Sequence, residues 1–440
     1  MSTKKKSFSR KILGVVSVLV CILILPFLLN GIYTLYESTL YDKPGKMIET
    51  DYGNIHVYTK LHGGLHKPVY VFLDGFGGGS AYYDFKMLWE PLSESASIVT
   101  IDYLGYGMSE ITNSERFAGN IASEIDAALS NAGVQGPYTL VAHSLGGFYA
   151  MEYSIRFPDK VASLIFLDNA IPDDVLSENG ADMTAYKDSR PIYMLLKYSG
   201  LLRFLPQNES PWLSADEQKA SAYYERKMLL NRTIMNEIDN TSINAENLAD
   251  KKVPDSIPEL ILVSKQNNEA SIEQGAAITW EEYHEDFKNS NSHSAVLMLD
   301  TGHYMHYEAP ERVLQAIDNF MNTQDLTNDN KIYLIANETA AQIIEAFTNK
   351  NIDDTGFPYE EMPPEGIVFP ENIRTEISEN SSIKSINLIK QEDNSYIAEV
   401  LCSNTQNDSG KTFMYVDFYV RDDNTRHVNT IYFSETPINY

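Results

Sequence analysis

Ser144 lies in the segment Val141-Ala-His-Ser-Leu-Gly-Gly147, with small residues two before it (Ala142) and two after it (Gly146). Small flanks suit a serine on a strand-to-helix turn so sharp that larger neighbours would clash, and the turn lifts the hydroxyl into solvent. A serine hydroxyl is a weak nucleophile at its own pKa and needs a base within hydrogen-bond reach. The candidate base is His303, in Leu299-Asp-Thr-Gly-His-Tyr-Met-His-Tyr-Glu308, where Gly302 permits a close approach. The chemistry of such a pair is acyl transfer through a covalent intermediate. Taken alone, serine among small residues also occurs in ordinary turns. A Gly-His in a loop is ordinarily structural too, so the pair gains weight only from its setting. His306 is read as packing near the start of the helix that follows. His303-x-x-His306 lacks the Glu of a zinc hydrolase and a third ligand, so neither a metal nor a cofactor is expected.

That setting is a succession of buried strands and helices. The apolar run Tyr138-Thr-Leu-Val141 leads into Ser144, and helix-like spacing follows it. Val69 to Leu73 is a strand running into the glycine-rich Asp74-Gly-Phe-Gly-Gly-Gly-Ser80, and Ile98 to Asp102 is another, ending in a Gly-x-Gly-x-Ser turn. An early alternating strand begins at Ile55, and helical stretches are expected over Ser80 to Glu90 and Arg116 to Asn131. Ala162 to Leu167 is a strand that ends at Asp168, and strand character returns over Pro258 to Ser264. Leu297 begins the strand before Gly302-His303, and Pro310 opens a helix. Strands alternating with helices predict an α/β fold, a mostly parallel sheet covered on both faces.

Together these residues resemble the α/β-hydrolase family over roughly Ile48 to Met321. The resemblance implies that Ser144 is the nucleophile and His303 the base. It also implies an oxyanion hole made by the amides of Leu145 and Phe76, and a helical cap over about residues 171–252. Many relatives carry His-Gly where this chain has Asp74-Gly75, which leaves a backbone donor in place. The acid departs from pattern. The family's usual Asp follows the strand Leu260-Ile-Leu-Val, where this chain reads Ser264-Lys-Gln-Asn-Asn-Glu269. Asp168 is preferred, since some relatives place their acid after that strand; Glu269 is the alternative, with Asn267 as a neutral orienter behind both. An Asp before Asn169-Ala-Ile-Pro could equally cap a loop. In the cap, helical runs such as Ile192 to Tyr198 and Ser221 to Leu230 are expected to be interrupted by Pro191, Pro206 and Pro211.

The flanking regions carry different signals. Lys4, Lys5, Lys6, Arg10 and Lys11 precede Ile12 to Leu29, about eighteen residues without a charge, enough to cross a bilayer. The basic cluster predicts a cytoplasmic tail over 1–11, a retained transmembrane signal anchor over 12–33, and an extracytoplasmic hydrolase domain over 41–325. Residues 326–440 read as an accessory α+β domain: a helix near Ala340 to Phe347, a Pro- and Glu-rich stretch, then four strand-like segments. The formal charge of −27 argues against nucleic-acid partners. Cys21 and Cys402 lie far apart, so no internal disulfide is expected. The expectation is a membrane-anchored serine hydrolase acting on a small-molecule or lipid-like acyl substrate, an ester by preference. A peptidase of the prolyl-aminopeptidase type, or a non-catalytic cell-surface binding protein on a hydrolase scaffold, is the alternative.

Overall fold

The computed structural model describes residues 21–62, 67–177, 183–205 and 210–322, with four strands beyond them. Contacts divide the chain into two units. The first holds residues up to Ser294 together with Asp300–Pro310, and the second holds Ala295–Leu299 and Glu311 onwards.

In the first unit the strands are β1 (Lys46–Thr50), β2 (Gly53–Lys60), β3 (Val69–Leu73), β4 (Ser97–Asp102), β5 (Tyr138–His143), β6 (Val161–Leu167) and β7 (Glu259–Ser264). They lie in the order β1-β2-β4-β3-β5-β6-β7. The pairs β1–β2 and β2–β4 are antiparallel, and the remaining pairs are parallel. Every residue of β4, β5 and β7 is buried, as expected of strands covered on both faces. The register aligns Leu73 with Ala142, His143 with Leu167, and Leu167 with Leu262. Asp74, Ser144, Asp168 and Ser264 therefore emerge at one edge of the sheet. The chain reverses its winding direction between β3 and β5, and ligands of open α/β sheets bind at such a carboxyl-end switch point.

Helices Ala118–Asn131 and Gly146–Arg156 pack against each other. The expected helix over Ser80 to Glu90 is split into Ala81–Asp84 and Lys86–Leu92. The cap region contains helices Pro172–Leu176, Thr184–Ser199, Ala215–Met228 and Arg232–Leu248, with the short turn Leu201–Phe204. Pro191 does not interrupt the helix as expected but sits inside Thr184–Ser199. Its exposure puts the helix side that loses a hydrogen bond toward water, which lowers the cost. Helix Ala215–Met228 opens on a capping box of Ser214 and Glu217. Helix Arg232–Leu248 is fixed to the body by Glu237, which accepts from Tyr106 Oη (2.8 Å) and Tyr149 Oη (2.5 Å).

A helix also runs over residues 21–37. Among the described residues no helix is long and apolar enough to cross a membrane. Residues 12–20 of the expected span lie outside the described residues.

The second unit contains β8 (Ala295–Leu299), most of helix Pro310–Asn322, and β9 (Ser381–Lys390), β10 (Ser395–Asn404), β11 (Lys411–Val420) and β12 (Arg426–Ser434). The last four form a 4-stranded antiparallel sheet in the order β12-β11-β10-β9. The helix expected near Ala340 lies outside the described residues.

Candidate active site

Ser144 has φ +50°, a left-handed conformation that is uncommon for a residue with a side chain and recurs at functional sites. Its amide donates to Leu167 O (3.2 Å), and its carbonyl accepts from Gly147 and Ala170 (2.9 Å each). The small neighbours are required by contact. A Cβ on Gly146 would lie 2.5 Å from Asp74 O, and one on Gly75 would lie 2.8 Å from Ser144 Cβ. A Cβ on Gly147 would meet Asn169 Cβ at 2.7 Å. The spacing of small residues around Ser144 thus reflects how closely β3, β5 and the loop after β6 converge.

Asp168, beyond β6, is fully buried and also left-handed at φ +44°. Its Oδ2 accepts from His303 Nδ1 at 2.7 Å and from Asn267 Nδ2 at 2.6 Å. Its Oδ1 accepts from the Ser264 amide at 2.8 Å and from Trp280 Nε1 at 2.6 Å. A buried carboxyl group surrounded by donors in this way is held in one orientation. The structure therefore brings Asp168 and His303 together and sets Glu269 apart. Glu269 is exposed, with Lys265 Nζ at 3.9 Å from its carboxylate. Asn267 touches Asp168, as a donor to the acid. Where the family's usual acid turn would lie, helix Lys265–Glu273 follows β7 directly, capped by Ser264 Oγ accepting from the Asn267 amide at 3.1 Å.

The His303 backbone carbonyl is 3.1 Å from His143 Nε2, and the two rings are 4.6 Å apart. His143 directly precedes Ser144, so this contact joins the His303 loop to the elbow. His306 packs its buried ring against His143 (4.6 Å) and Phe85 (5.1 Å). Burial, and then the neighbouring imidazoles, push His143 well below the usual range; burial first, with His303, brings His306 down to about 3. Both are neutral at ordinary pH. Among the described residues no group of His, Cys, Asp and Glu is arranged to hold a metal.

Phe76 lies in the loop after β3, and Leu145 directly follows Ser144. Leu145 is the residue before the buried helix Gly146–Arg156. Among the described residues neither its amide nor that of Phe76 donates to a protein acceptor, which leaves both free for an incoming oxyanion. The Phe76 ring meets Tyr186 of the cap edge-on at 5.2 Å.

The loop carrying Phe76 wraps around two buried carboxyls. Asp74 Oδ1 accepts from the Gly75 amide (2.9 Å), and Asp84 Oδ2 accepts from the amides of Gly79 (2.7 Å) and Ser80 (3.2 Å). Tyr307 Oη donates to Asp84 Oδ1 at 3.1 Å. Asp74 Oδ2 is buried with no hydrogen-bond partner among the described residues, and burial raises the pKa of both carboxyls. Burial first, then the charge of Asp84, raises Asp74 well above the carboxylate range. Asp102, Glu225, Tyr103, Tyr304 and Tyr307 also face this pair, and Asp102 is itself paired with His56 at 3.0 Å. A group that binds its proton more tightly when folded loses stability as pH rises from its unfolded pKa through its folded one. Asp74→Asn removes the carboxyl whose pKa is raised, so the variant's melting temperature should fall less than that of wild type between pH 5 and pH 9. A difference of a few degrees is expected, the scale about 1 kcal/mol produces in a domain of this size. An equal fall in both proteins, followed by calorimetry, would show that Asp74 does not carry this pH dependence.

A profile of the alpha/beta hydrolase fold matches residues 68–310, and the chain belongs to that family. Among curated proteins, it is 24% identical over 296 residues to an uncharacterized protein of Bacillus subtilis named YbdG, covering 65% of this chain and 88% of that one. The bovine (lyso)-N-acylphosphatidylethanolamine lipase is 34% identical over 102 residues, 22% of this chain and 29% of that protein. Proline iminopeptidase PfmaB of Pestalotiopsis fici is 33% identical over 105 residues, 23% of this chain and 37% of that protein. This chain thus spans only about a third of the lipase and the peptidase.

Proposed function

We propose that the protein is a serine hydrolase that cleaves carboxylic esters through an acyl-enzyme on Ser144. The observation that carries this reading is the His303 Nδ1–Asp168 Oδ2 hydrogen bond of 2.7 Å, at the same sheet edge as the strained elbow. Asp168 fixes the tautomer in which Nδ1 carries the hydrogen, leaving Nε2 as the base. Ser144 Oγ attacks the acyl carbonyl as Nε2 takes its proton, and the amides of Phe76 and Leu145 hold the oxyanion. Collapse expels the alcohol with that proton. Water, deprotonated by Nε2, then attacks the ester at Ser144 and releases the acid. The neutral state of His143 and His306 keeps competing positive charge away from the imidazolium that forms on His303.

An ester fits better than a prolyl peptide. A prolyl aminopeptidase must hold a free ammonium, and charge-paired carboxylates do that. The cap carboxylate packed on the oxyanion loop is Glu225, whose Cγ lies 2.7 Å from where a Gly79 Cβ would stand. Burial raises its pKa, which makes it a poor counter-ion. Hydrolysis of p-nitrophenyl butyrate against proline β-naphthylamide separates the two readings. A preference for the amide would overturn the ester assignment.

We further propose that residues 12–33 anchor the chain in a membrane with the hydrolase outside the cytoplasm. The support is the basic cluster Lys4 to Lys11 ahead of the uncharged run Ile12 to Leu29. Protease added to intact cells should digest the hydrolase unit and spare the basic tail. A mature chain beginning after Asn30 would refute a retained anchor.

A further inference from the structure

The helix over residues 21–37 is clamped to the cap. Asn30 Nδ2 donates to the carbonyls of Lys197 (3.0 Å) and Tyr198 (3.1 Å). Arg203 donates from Nε to Asn30 Oδ1 (2.8 Å), from Nη2 to Thr34 Oγ1 (2.8 Å) and from Nη1 to Glu37 (2.5 Å). Arg226 reaches the other Glu37 oxygen at 2.7 Å, and the Arg203 guanidinium lies 4.7 Å from the centre of the Tyr33 ring. Asn30, Thr34 and Glu37 are spaced to share one helix face. Gly200 completes the fit: its φ is +81°, and a Cβ there would lie 2.9 Å from Asn30 Oδ1.

Asn30 is the first residue after the apolar run Ile12 to Leu29. The cap turn around Gly200 therefore sits level with the end of that run. Beside it the cap exposes apolar side chains at Ile192, Leu195, Tyr198, Leu201, Phe204 and Leu205, with Phe204 84% and Ile192 64% accessible. Steps of three along the helix keep the first of these on one slowly turning stripe. Both charged residues in this segment are turned away from it. Arg203 is engaged in the clamp, and Lys197 Nζ donates to the carbonyls of Lys227 (2.9 Å) and Leu229 (2.8 Å). An exposed apolar stripe cleared of charge marks an interaction surface.

We propose that this cap face, Ile192 to Leu205, lies in the surface of the lipid bilayer, held there by the clamp, and that the ester substrate is an amphiphile drawn from that bilayer. The inference rests on the anchoring proposed above. The occupant follows from continuity: at Asn30, Tyr33, Thr34 and Glu37 the surface meets the end of the segment that would enter the membrane. Covering it with lipid removes exposed apolar area from water. Phe204 and Tyr198 supply aromatic rings of the kind that settle at a membrane interface.

The test uses the full chain with Cys21 and Cys402 changed to Ser, reconstituted in phosphatidylcholine vesicles and checked for fluorophosphonate labelling. A fluorophore is placed on Phe204→Cys, Leu25→Cys or Asp286→Cys, and quenched by a lipid spin-labelled near its head group. The label at 204 should be quenched at least about twofold more than the label at 286. Quenching at 25 but not at 204 would overturn the inference while leaving the anchor standing, whether water or another protein covers the face. No quenching at 25 would refute the anchor and this inference with it. Independently, Leu201→Asp with Phe204→Asp should lower the ratio of vesicle-borne long-chain ester hydrolysis to p-nitrophenyl butyrate hydrolysis at least about tenfold. Equal loss on both substrates would assign these residues to the fold and overturn the proposal.

Discussion

Ser144→Ala should lose at least about 10⁴-fold in kcat toward p-nitrophenyl butyrate, together with all labelling by a fluorophosphonate, while still unfolding cooperatively. Removing the nucleophile of a serine hydrolase costs up to about 10⁶ in kcat, because base, acid and nucleophile act as one unit. What remains comes from binding and the oxyanion donors, so some residual rate is expected. The substitution is small, and alanine keeps the Cβ that already fits beside Gly75. Its backbone must hold the same φ of +50°, so a modest loss of stability is the structural cost. Full labelling of the alanine variant would place the reactive group elsewhere. Failure of the folded wild type to label would favour the non-catalytic binding protein, the alternative that keeps the scaffold without the chemistry.

The elbow and the strands were legible in the sequence because their causes are local. β4, β5 and β6 are short apolar runs, and the small residues around Ser144 answer a steric demand set within a few residues of it. His303 was legible through order along the chain and the glycine before it. The surroundings of Asp168 were not. Trp280 and Asn267 donate to it from 112 and 99 residues away, and no periodicity marks a tryptophan as a carboxylate donor. The choice between Asp168 and Glu269 needed the fold, since both follow strands that end at the same edge. The raised pKa of Asp74 was hidden for a similar reason. Gly75-Phe-Gly-Gly-Gly reads as a turning loop, and only burial in the fold raises the carboxyls of Asp74 and Asp84. Pro191 misled because a proline ordinarily ends a helix, and its tolerance on an exposed side depends on tertiary placement.

Asp168→Asn should lower kcat at least about 10²-fold with the fold intact, and Glu269→Gln should cost less than about tenfold, a barrier change near 1.4 kcal/mol. An orienting carboxylate holds the imidazole tautomer and stabilises the imidazolium that forms as serine loses its proton; in a serine protease the same Asp→Asn change costs about 10⁴ in kcat. The effect should fall mainly on kcat, since Asp168 is fully buried and bonds His303 through Nδ1. Here the amide would meet four donors, Ser264 N, Trp280 Nε1, Asn267 Nδ2 and His303 Nδ1, and its own NH₂ would face two of them, whichever oxygen it replaces. Trp280→Phe separates charge from orientation. It removes one donor to Oδ1 and leaves the carboxyl group and its bond to His303 in place, so it should cost far less than Asp168→Asn, within about tenfold in kcat. Glu269 is exposed, with Lys265 Nζ 3.9 Å from its carboxylate. A larger loss from Glu269→Gln than from Asp168→Asn, measured by steady-state kinetics on the folded variants, would return the acid to the loop after β7.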